Sequence, residues 1–247
     1  MKRRPAPKFF SEYHYERKMV ADAVRLGAMF PNIWMSFQLD VTGLVEVHQQ
    51  KKLKQESPGL PAYFLLATAR ILSEHRGFIG HISGEKIKLP ANVRMRITSR
   101  NVLGRMVSHI LTNPQELEVS SIKATLNWLL ATEDELILPR QKRFFSLPWW
   151  LRKVFYKFWL RSAEKRDLIF GNCYFACNGF SSLSGSFTTH TSSLWGVHLY
   201  YSDVYNKDER YFVTLSVSAD HRMLDAYHLT FLAECLEIEF HKIAQES

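Results

Sequence analysis

The chain has 247 residues, enough for one sizeable domain with a substantial hydrophobic core. Its composition, 46% hydrophobic and 23% charged, is ordinary for a globular protein and argues against disorder. Three cysteines are too few for a disulfide framework and lack zinc-binding spacing, and no uncharged run approaches the roughly 20 residues that span a bilayer. Together with the absence of a signal peptide, this predicts a cytoplasmic protein that is soluble or at most peripheral.

The first half of the chain alternates between helical and strand patterns. Residues 17–30 predict an amphipathic helix, and the apolar stretch 60–75 predicts another, with Pro61 tolerated in its first turn. Residues 82–101 predict a hairpin and strands, and a further helix is expected at 113–135, opened by Asn113 and Pro114. A strand is predicted between the first two helices from alternating apolar residues: Ile33, Met35, Phe37, Leu39 and Val41.

The second half leads to the stretch SADHRMLDAYH, residues 218–228. Strand-like runs at 172–180 and 196–205 come first. The strand just before the motif is expected to be half-buried, because apolar and polar residues alternate along it: Val213, Thr214, Leu215, Ser216, Val217, Ser218 and Ala219. An apolar helix is predicted after the motif from Leu229 onward. His221, Arg222 and Asp225 therefore stand at a strand-to-helix junction, a common address for active sites and for helix caps alike.

Positive charge is concentrated in residues 140–166. This window holds nine Lys or Arg residues against one acid, a net charge of +8 that numerically equals that of the whole chain. On a helical wheel one side carries Leu151, Val154, Phe155, Phe158 and Trp159, and another carries Lys153, Lys157 and Arg161. Such a helix is typical of a membrane-surface or partner-binding element. Alternatively, its aromatic face packs on its own domain while its charges face water. Nucleic-acid binding is not expected from a single aromatic-backed helix.

Several segments resemble the chloramphenicol acetyltransferase superfamily. The stretch LSVSADHRMLDA resembles the His-x-x-x-Asp-Gly motif of this superfamily. Its Asp-His-Arg tripeptide is most similar to that of the catalytic domain of the 2-oxoacid dehydrogenase acyltransferases. Four further segments resemble family segments in the same order: YERKMVADAV, WMSFQLDVTGLVEV, LPAYFLLATARILSEH and FSSLSGSF. The resemblance covers most of the chain, excluding about residues 137–170.

The resemblance implies a role for each motif residue. His221 would be the general base that takes a proton from the attacking hydroxyl, thiol or amine, a role that suits a side chain titrating near neutrality. Ser181 or Ser182 would donate a hydrogen bond to the oxyanion of the tetrahedral intermediate, and the alignment does not separate the two. Asp225 would support the site structurally through a salt bridge to Arg17, which would fix where His221 points.

The resemblance also implies the architecture and the co-substrates. We expect an α/β fold, a two-layer α+β sandwich with a mixed sheet flanked by helices. It would form a single domain over 1–247, with a basic aromatic insertion at about 137–170. A homotrimer with each active site between two subunits, a thioester of coenzyme A or of an acyl carrier protein as co-substrate, and no permanently bound cofactor or metal are implied as well. Lipoyl-type and subunit-binding modules are not visible, so the core of a dehydrogenase complex is not expected.

Two function classes remain open from the sequence. The first is an acyltransferase that moves an acyl group from a thioester to a hydroxyl, amine or thiol acceptor. The second is a catalytically inactive relative, a trimeric scaffold or membrane-associated binding protein. Ala226, which replaces the motif glycine of the family, and the large basic insertion favour the second. The first is favoured by the retained motif residues: His221, Ser181 or Ser182, Arg17 and Asp225.

The insertion predicts a contact surface. We expect an anionic surface, such as the inner face of the membrane, to meet this helix, and an acidic acyl carrier protein would satisfy the same charges. The membrane is favoured, because tryptophan and phenylalanine on one helix suit a bilayer interface. The predicted contact residues are Trp149, Trp150, Lys153, Lys157, Trp159 and Arg161.

Overall fold

A computed structural model describes residues 18, 21–22, 25–26, 28, 31–54, 56–83, 85–100, 106–132, 139–160, 162–177 and 196–246. Arg17, Ser181 and Ser182 lie outside the described residues, as does the side chain of Arg161. Five described residues near the start are helical, in agreement with the predicted first helix, and we call them the N-terminal helical segment: Lys18, Ala21, Asp22, Arg25 and Leu26.

The described residues form seven helices and nine strands. The helices are α1 (Thr42–Leu53), α2 (Leu60–Glu74), α3 (Val119–Ala131), α4 (Pro139–Ser146), α5 (Trp149–Leu160), α6 (Ala163–Phe170) and α7 (Ala226–Glu246). The strands are β1 (Asn32–Asp40), β2 (His81–Ser83), β3 (Lys86–Lys88), β4 (Arg94–Arg100), β5 (Met106–Thr112), β6 (Cys173–Cys177), β7 (Val197–Tyr201), β8 (Tyr205–Lys207) and β9 (Arg210–Asp220).

Seven of the strands form one mixed sheet in the order β1-β9-β7-β6-β4-β5, with β8 paired to β9. The pairs β4–β6 and β6–β7 are parallel, and the others are antiparallel. Strands β2 and β3 form a separate hairpin, as the sequence predicted. The predicted mixed sheet with flanking helices is therefore confirmed.

Helix α2 is the centre of the main hydrophobic core. It contacts α1, α3 and α7, and it is buried along most of its length. Pro61 lies in its first turn as predicted, where the missing N–H costs no helical hydrogen bond. The ring of Phe64 stacks on Tyr201 of β7 at 5.1 Å between centroids, which ties the helix to the sheet.

Strand β9 is buried on both faces, so the prediction of a half-buried strand is wrong. Thr214, Ser216 and Ser218 are only 2%, 3% and 4% exposed. Their strand lies between β1 and β7, and the backbone N–H of Thr214 donates to Ser202 Oγ at 2.9 Å. The alternating pattern reports that one face of the strand is polar, but a polar face can still be buried. The hydroxyls of Ser36 and Ser216 meet there at 3.4 Å, whereas the buried Ser218 Oγ has no hydrogen-bond partner among the described residues.

Helix α3 begins later than the sequence predicted. Asn113 adopts a left-handed conformation with φ of 49°, and Pro114–Glu116 form a 3₁₀ turn. Leu117 is then extended, which breaks the helical path before Val119. The Asn-Pro signal therefore marks a separate turn, and the helix starts five residues after Pro114.

The insertion packs against the N-terminal helical segment in a second, smaller core. Leu26, Tyr156 and Phe170 form its buried centre, and Trp149 and Trp159 pack around them half-buried. At its heart the Arg152 guanidinium donates to both carboxylate oxygens of Asp22 at 2.7 and 2.8 Å. Asp22 is fully buried and Arg152 is 4% exposed, so this ion pair joins the insertion to the rest of the fold.

Candidate active site

The strand-to-helix junction is a tight turn between β9 and α7. Backbone hydrogen bonds fix both ends of it: the N–H of His221 donates to the Pro31 carbonyl at 2.8 Å, and the N–H groups of Met223 and Leu224 donate to the Asp220 carbonyl at 3.0 Å. His221 is therefore held next to the start of β1 and at the very end of β9.

The ring of His221 is oriented by a backbone atom. Its Nδ1 lies 3.1 Å from the carbonyl oxygen of Leu224. A carbonyl oxygen only accepts hydrogen bonds, so Nδ1 carries the proton and the neutral ring keeps its lone pair on Nε2. No hydrogen bond to Nε2 occurs within the described part of the chain, and the side chain is exposed. The geometry presents an available basic nitrogen to a reactant.

Asp225 caps helix α7. It directly precedes Ala226, the first helical residue, and its Oδ1 accepts from the backbone N–H of His228 at 3.2 Å and lies 2.7 Å from His228 Nδ1. These hydrogen bonds to His228 hold the pKa of the Asp225 carboxyl below its ordinary value. The Asp225 side chain is 58% exposed, so it is not part of a buried ion pair within one chain. Its predicted partner Arg17 lies outside the described residues.

Arg222, the third polar residue of the motif, turns back on the strand. Its guanidinium Nε donates to Asp220 Oδ1 at 2.9 Å, and its backbone N–H donates to the same oxygen at 3.0 Å. The hydrogen bonds to Asp220 raise the pKa of Arg222. This pair engages the Arg222 guanidinium within the turn, so Arg222 is not positioned as the proton acceptor.

Ala226 occupies an ordinary helical position. It is the first residue of α7, and it is not among the described non-glycine residues with positive φ. A glycine is therefore not required there by the backbone, because alanine favours this conformation. The replacement of the motif glycine does not by itself indicate a retired site.

Two glycines that were not among the candidate residues, Gly80 and Gly196, lie against the turn. A Cβ at Gly196 would lie 2.6 Å from the carbonyl oxygen of Phe78, and a Cβ at Gly80 would lie 3.0 Å from Met223 Cε. Gly196 also accepts a hydrogen bond from the N–H of Asp220. The close approach of backbone atoms requires glycine at Gly196, and a glycine as the first residue of a strand-like run was the signal available in the sequence.

A cavity of ≈ 200 Å³ lies at the opposite end of the sheet. It is bounded by the start of α2 at Pro58 and Gly59, by Leu126 on α3, and by the ends of β4 and β6. Ser99 lines it, and the buried Ser99 Oγ has no hydrogen-bond partner among the described residues. The cavity reaches Cys177, four residues before Ser181, so it lies beside the point where the chain leaves for the predicted oxyanion segment.

Other candidate sites are not supported within the described ranges. No group of three or more His, Cys, Asp or Glu residues there is arranged to hold a metal ion. All three cysteines are free thiols, and burial raises the pKa of Cys173, so this thiol is poorly suited to act as a nucleophile.

The sequence matches no described protein family and no curated protein. Solved structures, by contrast, match almost the whole chain. The alignment with the probable dihydrolipoamide acetyltransferase of Listeria monocytogenes covers 98% of this chain and 97% of that protein's chain, with a TM-score of 0.69 and 19% identity. The alignment with a dihydrolipoamide acetyltransferase of Azotobacter vinelandii covers 92% of this chain and 88% of that protein's chain, with a TM-score of 0.65 and 15% identity. That enzyme was studied for the catalytic roles of a serine, a histidine and an asparagine.

The alignment with a chloramphenicol acetyltransferase covers 91% of this chain and 94% of that protein's chain, with a TM-score of 0.56 and 15% identity. The architecture implied by the sequence resemblance is thereby confirmed over nearly the full length. The chain has the fold that dihydrolipoamide acetyltransferase catalytic cores share with chloramphenicol acetyltransferase.

Proposed function

We propose that the protein is an acyltransferase that moves an acyl group from a thioester to a hydroxyl, amine or thiol acceptor, with His221 as general base. One observation carries this proposal: the Leu224 carbonyl accepts a hydrogen bond from Nδ1 of His221, which leaves the lone pair of this exposed side chain on Nε2.

The chemistry follows from that tautomer. The acceptor loses its proton to His221 Nε2 as it attacks the thioester carbonyl, and the C–S bond breaks when the tetrahedral intermediate collapses. The imidazolium formed in the first step keeps its Nδ1–H bond to the Leu224 carbonyl, whose partial negative charge stabilises it. The proton then passes to the departing thiolate. Ser181 or Ser182 would stabilise the oxyanion.

Motif spacing supports the assignment of Asp225. In the Azotobacter enzyme the named histidine and asparagine are four positions apart, and His221 and Asp225 have the same separation. Asp225 would then be a positioning residue. It fixes the start of α7, and a salt bridge to Arg17 would add to this in the assembled protein.

We further propose a homotrimer in which His221 faces Ser181 or Ser182 of a neighbouring subunit. Cys177 is in register with Tyr201, which is in register with Leu215, so the end of β6 lies about 20 Å along the sheet from His221 and about 10 Å across it. The four residues from Cys177 to Ser181 span at most about 14 Å. A serine of the same chain would come near His221 only if the segment after Cys177 ran back along the sheet fully extended. A serine supplied by a neighbouring subunit needs no such extended segment.

The cavity beside Cys177 suits the thiol end of the thioester donor. It is mostly apolar, as the pantetheine arm of coenzyme A or of an acyl carrier protein requires. Ser99 Oγ could satisfy its missing hydrogen bond on an amide of that arm. Lys123 lines the cavity, and its Nζ donates a hydrogen bond to the Ser57 carbonyl at 2.6 Å. Its positive charge would lie near the phosphates of the donor.

Thiol release from a panel of acyl thioesters tests the activity. We expect wild type to release thiol in the presence of hydroxyl, amine or thiol acceptors, and His221→Ala to lose about 10²–10⁴-fold. His241→Ala, an exposed histidine on α7, is the matched control and should retain the wild-type rate. Equal rates for His221→Ala and wild type would remove His221 as the base.

A second test addresses the cavity. Leu126→Trp fills it, whereas Ala124→Trp places the same ring on the exposed side of the same helix. Filling the donor site should raise the KM for the thioester and leave the KM for the acceptor unchanged, provided that melting temperatures show both variants folded. An unchanged donor KM in Leu126→Trp would place the donor elsewhere.

A further inference from the structure

Helix α5 presents an apolar stripe to solvent. Trp150, Val154 and Phe158 are 67%, 59% and 64% exposed, and their spacing of four residues places them on one face. We call these three residues the α5 outer stripe. Two apolar residues on the neighbouring helix α6, Leu168 and Ile169, are also exposed. A surface of this kind on a folded domain indicates an interaction site.

The helix cannot roll to hide the stripe. Its opposite face is fixed by the buried Arg152–Asp22 ion pair and by Tyr156, whose hydroxyl donates to Asp22 at 3.2 Å. The guanidinium of Arg25 lies 5.1 Å from the ring of Trp149, and Trp159 lies 5.1 Å from the ring of Phe144, so both tryptophans pack toward the protein. The predicted contact surface is corrected accordingly: Trp149 and Trp159 are half-buried, and Trp150 is exposed.

The charges beside the stripe are mostly positive, with Glu164 on α6 as the one exposed acid in residues 140–166. Lys153 and Lys157 are exposed on α5, which carries no acidic residue, and Lys165 lies 5.8 Å from the ring of Phe158. Within the insertion, residues 140–166 carry a net charge of +8. The surface therefore complements a negatively charged partner.

The residue types favour a bilayer over an acidic protein. The arginines of these helices, whose planar forks suit specific carboxylate pairing, are engaged internally: Arg152 holds Asp22 and Arg166 holds Asp167 at 2.7 Å. Among the described residues of α5 and α6 the exposed cations are lysines, which are flexible point charges able to follow mobile headgroups while their stems cover apolar surface. A convex helix with exposed Trp and Phe enters the headgroup region without needing a shaped pocket.

We propose that the α5 outer stripe and the lysines around it dock the protein on an anionic membrane surface. No helix of the described residues is long and apolar enough to cross a membrane, so the contact would be peripheral. The helix would lie in the plane of the interface, with the stripe among the headgroups and the Arg152–Asp22 pair on the side that faces the domain. Docking is independent of catalysis, because it involves no residue of the proposed active site.

Vesicle co-sedimentation tests the proposal with three proteins: wild type, the stripe variant Trp150→Ser/Val154→Ser/Phe158→Ser, and a control variant Ile87→Ser/Leu89→Ser. The control removes exposed apolar residues elsewhere, since Ile87 and Leu89 are both 59% exposed. Vesicles of phosphatidylcholine alone and of phosphatidylcholine with phosphatidylglycerol are compared, and melting curves establish that each variant is folded. We expect wild type and the control to bind anionic vesicles, and the stripe variant to lose that binding.

The charges are tested separately. Lys153→Gln, Lys157→Gln and Lys165→Gln should each weaken binding to anionic vesicles about fivefold, corresponding to about 1 kcal/mol per lysine. Added salt should weaken wild-type binding in the same direction. Equal binding by wild type and the stripe variant would overturn the proposal, as would no binding to anionic vesicles. A stripe-dependent complex with an acidic carrier protein, or a stripe-dependent change of oligomeric mass without vesicle binding, would assign the surface to that partner instead.

Discussion

The Nδ1 atom of His221 lies 3.1 Å from the backbone carbonyl oxygen of Leu224, three residues further along the same turn. The proposed base is thus oriented by main-chain geometry, with no carboxylate needed to select its tautomer. We expect ¹⁵N NMR of histidine-labelled protein with neutral imidazole rings to show Nδ1 of His221 protonated and Nε2 unprotonated. The spectrum of His221→Ala assigns the signals, and His241 serves as the exposed reference. A proton on Nε2 in the neutral form would contradict this arrangement.

Asp225 should contribute to stability in a pH-dependent manner. Its pKa is lowered by the hydrogen bonds to His228, so its stabilising effect is fully present above the ordinary value of 3.8 and is lost as the pH falls through the lowered value. Asp225→Ala should therefore melt below wild type at pH 7, and the difference should shrink below pH 3.8. Asp225→Asn keeps a capping oxygen, so at pH 7 it should melt above Asp225→Ala, and its remaining deficit from wild type measures the lost charge and the proposed salt bridge to Arg17. A gap for Asp225→Ala that is the same at both pH values would exclude the capping role.

Ala226→Gly should not improve catalysis. The position is the first residue of a regular helix, so glycine relieves no strain and instead adds backbone entropy to the unfolded chain. We expect a loss of about 0.5–1 kcal/mol in the free energy of unfolding and an unchanged kcat/KM. A clear gain in kcat/KM would show that the alanine hinders the site.

The Asp22–Arg152 pair should be a main attachment of the insertion. Arg152→Met leaves the buried Asp22 carboxylate with the Tyr156 hydroxyl, and breaking a buried pair in this way costs about 3–5 kcal/mol. Lys153→Met, its exposed neighbour, should cost about 0.5 kcal/mol or less. Urea unfolding at one fixed protein concentration measures both. The double variant Asp22→Asn/Arg152→Met should lose less than the sum of the single variants, and strict additivity would mean that the two charges do not interact.

Subunit mixing tests the proposed trimer. Ser181→Ala and Ser182→Ala are assayed singly, and the oxyanion donor is the one whose loss costs about 10²–10³-fold. That variant is then dissociated and reassociated with His221→Ala. If each site lies between two subunits, random mixing leaves about one site in four with both residues intact, and activity returns. A mixture as inactive as its components, or a monomeric mass at micromolar protein, would place the site within one chain.

Much of the fold could be predicted from local patterns. The alternation of β1, the apolar helix α2 and the strand-to-helix junction at His221 were all visible, because the periods of two and 3.6 residues directly reflect which face of an element is apolar. The Asn-Pro turn before α3 was mistaken for a helix start, since the left-handed conformation of Asn113 depends on the chain on both sides of it.

The sequence by itself determined where the His221 motif lies in the chain and where positive charge is concentrated. Only the tertiary structure decided what each of these residues contacts. Asp225 became a helix cap because α7 begins at the next residue, and the Leu224 carbonyl came to face His221 because the turn is closed by Asp220. Arg152 counted as one more surface charge in the sequence, but it is buried because Asp22, 130 positions away, supplies a carboxylate that compensates the loss of water. That long-range pair also decides which apolar residues of α5 point outward. Burying Arg152 and Tyr156 leaves Trp150, Val154 and Phe158 on the opposite side of the helix.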